Sequence, residues 1–402
     1  MKIYISGDLK SRMASVARFV GGRTTIPAVQ SLLLKADRDG MRLTATDLVV
    51  GIDARIPAQV SSVGEVLIPP NIVNLVAGAS KVTLQKREKY DLDIRTDAYA
   101  GKLKGLPTEE YPQGPTLETE ILSVPIIVFK EMLAVAGFAG GAVDSLKFGW
   151  RQLDEKKIRV TALGTNGIIA GVYSCDIPGT IEADGQVTFP AASVRIFEAH
   201  TALSDSQTIT LGTSKGKLMA SDGASTTWAC LSEVPFPDIA QAFQQFNQPT
   251  GTGILKLQEL DFGASKMLAL LSGDKATAGL MQFGEDELLM SSQETELGNG
   301  RFSIPFVEST LKEDLTLAIN FELVRRVASI FLSVSEQKNA GSAQAAVIAA
   351  NKPLILKMTT AGKGRLAALI MTMQINTPPT SAAETEDQEE SGDPDELETD
   401  EA

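Results

Sequence analysis

Cysteine occurs twice in this sequence and histidine once, and those scarcities exclude several classes of protein. Cys175 and Cys230 stand in strand-like runs, VYSC and TWACL. They have neither metal-ligand spacing nor a partner framework for disulfides, so both read as buried thiols. No metal site and no cofactor is expected. The lone His200 has no Gly-x-Ser-x-Gly or comparable nucleophile context in the chain, so general-base catalysis lacks its other members. LGTSKGK (residues 211–217) looks like a phosphate loop, but its lysine comes one position early and a strand follows where a helix is needed. Residues 37–40, Asp-Arg-Asp-Gly, open like a calcium loop, but the twelfth position is Leu48, not a glutamate. Both stretches read as hairpin turns. No catalytic residues are therefore expected. The start, MKIYISGDLK, lacks a signal-peptide core, and no run approaches the ~18 apolar residues of a membrane span. The expectation is a soluble, cytoplasmic protein.

Net charge is −13, but its distribution matters more than its size. Residues 383–402 hold 11 acids and no base, so the rest of the chain carries only −2. A nearly neutral body does not wrap nucleic acid with its whole surface, although it can gather bases on one face. After Pro378-Pro379 the chain is Glu, Asp, Ser, Thr and Pro with almost nothing to bury, so 379–402 reads as a disordered acidic tail.

What is present is a long repeat. LTATD (residues 43–47) alternates as a strand, and Ile68-Pro69-Pro70-Asn71 turns a strand end into a helix start. The same unit returns as IRVTALGTNG (158–167) before VTFPAASVRIFEA (187–199). It returns again as LLMSSQ (288–293) before LTLAINFELVRRVASIFL (315–332). The strand-to-helix junctions fall at Ile68, Phe189 and Ile319, a spacing too long for a solenoid and right for tandem whole domains. Domains are expected at 1–120, 121–250 and 251–378, each with two amphipathic helices. The helix patterns lie at 8–20, at Ile72, Val73, Leu75 and Val76, and at 129–138, 191–203, 260–271 and 321–332.

With RTTIP (23–27), SLLL (31–34), TEEYP (108–112) and FPD (236–238) set around these units, the chain resembles the bacterial sliding clamp, the beta subunit of DNA polymerase III, over residues 1–376. The resemblance implies an α+β fold of three clamp domains, antiparallel sheets outside and two helices per domain inside, closed into a ring as a homodimer. It implies a processivity factor that encircles double-stranded DNA without reading sequence. Its partners would be the replicative polymerase, the clamp loader and other clamp-motif proteins. A divergent or decoy clamp of a mobile element or virus, or a non-catalytic all-β binding protein, are the alternative readings.

By resemblance, Arg23, Arg195, Lys266 and Arg325 face the DNA. A partner-peptide groove between the second and third domains would use Thr165, Gly167, Pro237, Ala242, Asn320, Leu323, Leu369, Met371 and Met373. Ile168, Ile169 and Gln241 stand where the family is often basic, so this groove is expected to be less positive and more apolar. Opposite charge assigns the dimer contact to Lys86, Lys102 and Lys104 against Glu294 and Glu296. Gly101 stands where the family usually has an aromatic residue.

Overall fold

The computed structural model describes residues 1–7, 9–22, 24–245, 248–271, 278–292, 297–336 and 341–374. Arg23, Glu294, Glu296 and the 379–402 tail lie outside the described residues. Alternating apolar segments separated by tight turns give 26 strands among the described residues. The helices are α1 (Leu9–Ala17), α2 (Ile72–Leu75), α3 (Ile126–Ala134), α4 (Val194–Leu203), α5 (Ile239–Gln245), α6 (Leu257–Leu271) and α7 (Phe321–Ser333). Six fall in the expected stretches. The helix read for 129–138 starts earlier and ends in a 3-10 turn, Val135–Phe138. α5 was not expected.

The strands form four sheets. A five-stranded sheet runs Gln59–Ser62, Lys2–Ser6, Lys81–Lys86, Leu92–Thr96, Ala100–Leu103. A four-stranded sheet runs Arg301–Pro305, Glu287–Ser291, Ala278–Phe283, Leu315–Asn320. The eight-stranded and nine-stranded sheets are antiparallel throughout and join segments far apart in the chain. In the first joint, Val50–Ile56 pairs with Thr226–Cys230 in the register Gly51↔Trp228. In the second, Ile169–Pro178 pairs with Arg365–Ile370 in the register Ala170↔Leu369.

The helices bury apolar stripes against these sheets. On α7, Phe321, Val324, Val327, Ala328 and Phe331 are buried, at the i, i+3, i+4 spacing of one face, each large side chain contributing about 1.5–3 kcal/mol. Under α3 and α4 the core is aromatic: Phe148, Phe189, Phe197 and Phe129 meet edge to face in sequence, with centroids 4.8, 5.8 and 6.0 Å apart. The helix pairs also bridge the joints. The Arg326 guanidinium of α7 donates to the carbonyls of Gly137 and Ala139, both at 2.6 Å, capping the 3-10 turn that follows α3.

Two expectations change. The alternation at 43–47 predicts a strand with one buried face, but Thr44 and Thr46 are buried along with Leu43 and Ala45. The second face is roofed by the segment that links the first joint's two halves: Tyr111 donates its hydroxyl to the Thr44 carbonyl (3.1 Å), and burial pushes the Tyr111 phenol up. The apolar run 366–375 predicts one closing strand, but among the described residues regular pairing stops at Ile370 and resumes as the isolated bridge Ala318↔Met373. The exit is needed because the chain leaves the nine-stranded sheet to reach the strand that starts α7.

Candidate functional site: a groove at the second joint

The residues around the second joint are positioned by a five-residue turn, 165–169. Thr165 Oγ1 donates to the Ile169 carbonyl (2.7 Å) and accepts the Gly167 N–H (3.0 Å); Asn166 Oδ1 accepts the N–H groups of Ile168 and Ile169 (2.9 and 2.8 Å). Gly167 takes φ +91°, where a side chain is disfavoured. The turn leaves Ile168 52% exposed. Its carbonyl accepts the Met371 N–H (3.0 Å), and the Met373 N–H is taken by the Ala318 carbonyl (2.8 Å). These two bonds fix the backbone at the methionines, whose side chains are 44% and 47% exposed.

The floor is a separate apolar cluster. Ala170, Ile239 and Leu369 are buried together, with Leu163, Val172, Phe236, Ala242 and Phe243 packed against them. Pro237 is exposed at the start of α5, and its carbonyl accepts the Ile239 N–H (2.9 Å). Asn320 caps α7 through Oδ1 to the Glu322 N–H (2.8 Å), and Leu323 is half-buried on the same helix. Thr165, Gly167, Leu369, Met371 and Met373 are thus gathered at one joint with Ala242 on its wall, and Met373 reaches the strand that ends in Asn320. Sequence reading missed Ile239, Phe236 and Phe243. The signal was there: apolar residues at 239, 242 and 243 after Pro-Asp have helical spacing and a capping acid, and Gln241 N–H bonds Asp238 Oδ1 at 3.4 Å.

The other predicted residues are distributed along the chain. Arg195 is exposed on α4, and its carbonyl accepts from Arg18 at 3.5 Å. Lys266 on α6 lies over the Phe262 ring, 4.9 Å from its centroid. Arg325 on α7 pairs with Asp261 on α6 at 3.6 Å. Arg195 and Arg325 occupy the same register after their strand-to-helix junctions, and Asn74 occupies it on α2. Lys86 is on an inner strand and turns inward, donating to the Glu65 carbonyl (2.9 Å) with Tyr90 beneath it. Lys102 is on the edge strand, 3.6 Å from Asp91, and Lys104 is exposed just beyond it. The Tyr99 ring, 41% exposed, fills the space beside Gly101, so this edge does present an aromatic surface, from two residues upstream.

His200 is buried, with Nδ1 2.9 Å from the Thr227 hydroxyl and Nε2 3.5 Å from Asp222. Burial would raise the Asp222 carboxyl, but the nearby His200 and Ser204 side chains and the Ser225 N–H outweigh it and hold the group well below the usual carboxylate range. No group of metal-ligating side chains occurs among the described residues.

The family model for the DNA polymerase III beta subunit, N-terminal domain, matches residues 1–115. The beta sliding clamp of Synechocystis is 28% identical over 222 residues, covering 48% of this chain and 56% of that protein. The match therefore spans about half the length of that relative. The beta sliding clamp of Synechococcus elongatus is 23% identical over 331 residues, 78% of this chain and 85% of that one. The beta subunit from DNA polymerase of Streptococcus pyogenes superposes with a TM-score of 0.78 at 15% identity, over 93% of this chain and 100% of that chain. The chain is thus similar to bacterial beta sliding clamps in sequence and shares their fold. The Thermotoga maritima beta subunit gives a TM-score of 0.76 at 14% identity, over 93% and 99% of the two chains. The sheet-rich α+β architecture of this chain is the one those structures share. No helix among the described residues is long and apolar enough to cross a membrane.

Proposed function

We propose that the chain works as a sliding clamp: two copies close head to tail into a ring of six domains around duplex DNA and tether a polymerase to it. The domains are those of the sequence repeat, 1–120, 121–250 and 251–378. The observation that carries this reading is an unused pair of sheet edges. At each joint the strand after the repeat's LTATD-type turn, Val50–Ile56 or Ile169–Pro178, pairs with the last strand of the next repeat, Thr226–Cys230 or Arg365–Ile370. The corresponding strands left over are Arg301–Pro305 in the third repeat and Ala100–Leu103 in the first, and each is a sheet edge. A third joint between them cannot form within one chain that already uses the other two, but two chains satisfy it twice under two-fold symmetry. Joining them would add the four-stranded sheet to the five-stranded one, giving nine strands as at the second joint.

Aromatic residues support an apolar component in that contact. Phe262 is exposed on α6 and meets Phe302 of the edge strand (5.7 Å), while Tyr99 stands beside the opposite edge. α6 and α7 carry Lys266 and Arg325, and α4 carries Arg195, outside the apolar stripes. Backbone contacts from such side chains hold DNA without reading sequence, and ring closure rather than affinity keeps the protein on it. The groove at the second joint would take the linear motif of polymerase, loader or other partners: a glutamine with large apolar residues. Its methionines adapt to several occupants.

The test has two readings. Mass measurement in solution should give a dimer, and Phe302→Asp should give monomer; a monomeric wild-type chain would remove the ring. The wild-type protein should raise long-product synthesis by a matched polymerase and loader on primed circular DNA. A dimer that gives no stimulation with any loader would leave the decoy reading standing.

A further inference from the structure

A cavity of about 640 Å³ opens where α3 passes the C-terminal end of α7, with α4 closing one side. It shares no residue with the groove. Its wall is apolar: Ile127 is 47% exposed on it, and Val334 lies behind. Its charges are one-sided, Lys130 against Glu131, Glu198 and Glu336.

The three carboxylates differ. Glu131 is buried and fully used: it accepts from the Tyr173 hydroxyl (2.7 Å), the Thr360 hydroxyl (2.7 Å) and the Gly362 N–H (2.6 Å). Glu198 and Glu336 are exposed on the rim. α7 has 13 residues and ends at the cavity without a basic residue in its last turn, so its dipole adds negative potential there. An exposed apolar wall beside net negative charge, three carboxylates against Lys130, repels a phosphate backbone and favours an amphipathic cation.

We propose that this cleft docks a partner segment in which an arginine or lysine stands beside a large apolar side chain. The apolar side chain covers Ile127, and the cation sits between Glu198, Glu336 and the end of α7. The surface is separate from the groove, so a partner carrying both kinds of segment would engage one protomer at two places.

Fluorescence anisotropy of a labelled, capped Gly-Leu-Arg-Leu-Gly peptide against the full chain tests this. Saturable binding is expected with a Kd below ~1 mM. Glu198→Gln with Glu336→Gln should weaken it about five-fold, and a glutamate in place of the peptide's arginine should weaken it as much or more. Met373→Asp should leave it unchanged. Both glutamates are exposed, so the double variant should keep the wild-type melting temperature, which is measured alongside. No saturation, equal affinity in the double variant, or loss of binding in Met373→Asp would each overturn the proposal; the last would assign the peptide to the groove.

Discussion

The two joints are built from the same backbone and finished with different side chains. The turn at 46–50 repeats the turn at 165–169 bond for bond: Thr46 Oγ1 to the Val50 carbonyl (2.7 Å), the Leu48 N–H to Thr46 Oγ1 (3.0 Å), and Asp47 Oδ1 taking the N–H groups of Val49 and Val50 (2.9 and 2.8 Å). The exits also match. Cys230 N–H bonds the Val49 carbonyl and Ser232 N–H the Thr188 carbonyl, where Met371 and Met373 bond Ile168 and Ala318. At these matched positions the first joint has Trp228, Cys230 and Ser232, and the second has Leu369, Met371 and Met373. The Trp228 ring packs over Gly51 and beside Gly114, and it lines a cavity of about 490 Å³ with Thr44, Asp53 and Tyr111. At the second, a smaller Leu369 makes the floor and two exposed methionines make a rim. One strand pairing thus carries an aromatic ring at the first joint and an apolar patch with two exposed methionines at the second.

Breaking the first joint should have the largest effect. A β-carbon at Gly51 would lie 2.1 Å from the Trp228 ring, so Gly51→Val should cost about 1–3 kcal/mol by overpacking. Ala170→Gly, at the matching position of the second joint, should cost under ~1 kcal/mol, the strand-interior penalty alone. Thermal unfolding of both variants checks this; equal losses would mean that the joints do not differ in packing.

Breaking the groove comes next. Met373→Asp puts a charge where a peptide's apolar side chain would rest, and should weaken a glutamine-and-leucine motif peptide by ~10-fold or more. Because Met373 is half exposed, the melting temperature should not move. Ser232→Asp, its counterpart at the first joint, should leave peptide affinity unchanged. Titration of each variant with the same peptide distinguishes a specific groove from a general apolar surface.

A third copy of the turn, residues 221–225, sharpens the comparison electrostatically. Asp222 Oδ1 takes the N–H groups of Ala224 and Ser225 (2.9 and 2.7 Å) as Asp47 and Asn166 do in theirs. Asn166 shows that asparagine serves the turn, so Asp222→Asn removes the charge facing His200 and keeps the backbone bonds. The Asp222 carboxyl is held below its ordinary value in the folded chain. Its contribution is therefore complete above about pH 4 and is lost as pH falls below that. Asp222→Asn should cost about 1–2 kcal/mol at pH 7, and the gap to wild type should close toward pH 2. A gap independent of pH would mean that the loss is one of packing.

The repeat and most helices were legible in the sequence because they rest on local pattern. Apolar spacing marked α3, α4, α6 and α7, and the order of RTTIP, SLLL, LTATD, TEEYP and FPD carried the resemblance. What the sequence did not reveal depends on contacts between distant segments. Nothing in LTATD says that Tyr111 will roof Thr44, and nothing in TWACL says that Trp228 will pack over Gly51. Lys86 shows the same limit from the other side: charge count placed it at an interface, but its ammonium is committed to the Glu65 carbonyl and the Tyr90 ring of its own chain.

The smallest predicted effect concerns the rim. No lysine or arginine occurs among Ile168, Met371, Met373, Gln241 and Pro237, and the nearby Asp238 is acidic. An apolar rim without cations gives no reward to acidic residues flanking a bound motif. Ile168→Arg adds one cation at a site 52% exposed, where a rim charge is worth only a few tenths of a kcal/mol to about one. Affinity for a motif peptide with acidic flanks should therefore rise about two- to five-fold at low salt and return to the wild-type value near ~0.5 M salt, where screening reaches only a few ångströms. Affinity for the same motif with neutral flanks should not change. A gain that persists at high salt, or that is equal for both peptides, would mean that the arginine acts through its aliphatic stem and that rim charge does not set partner choice.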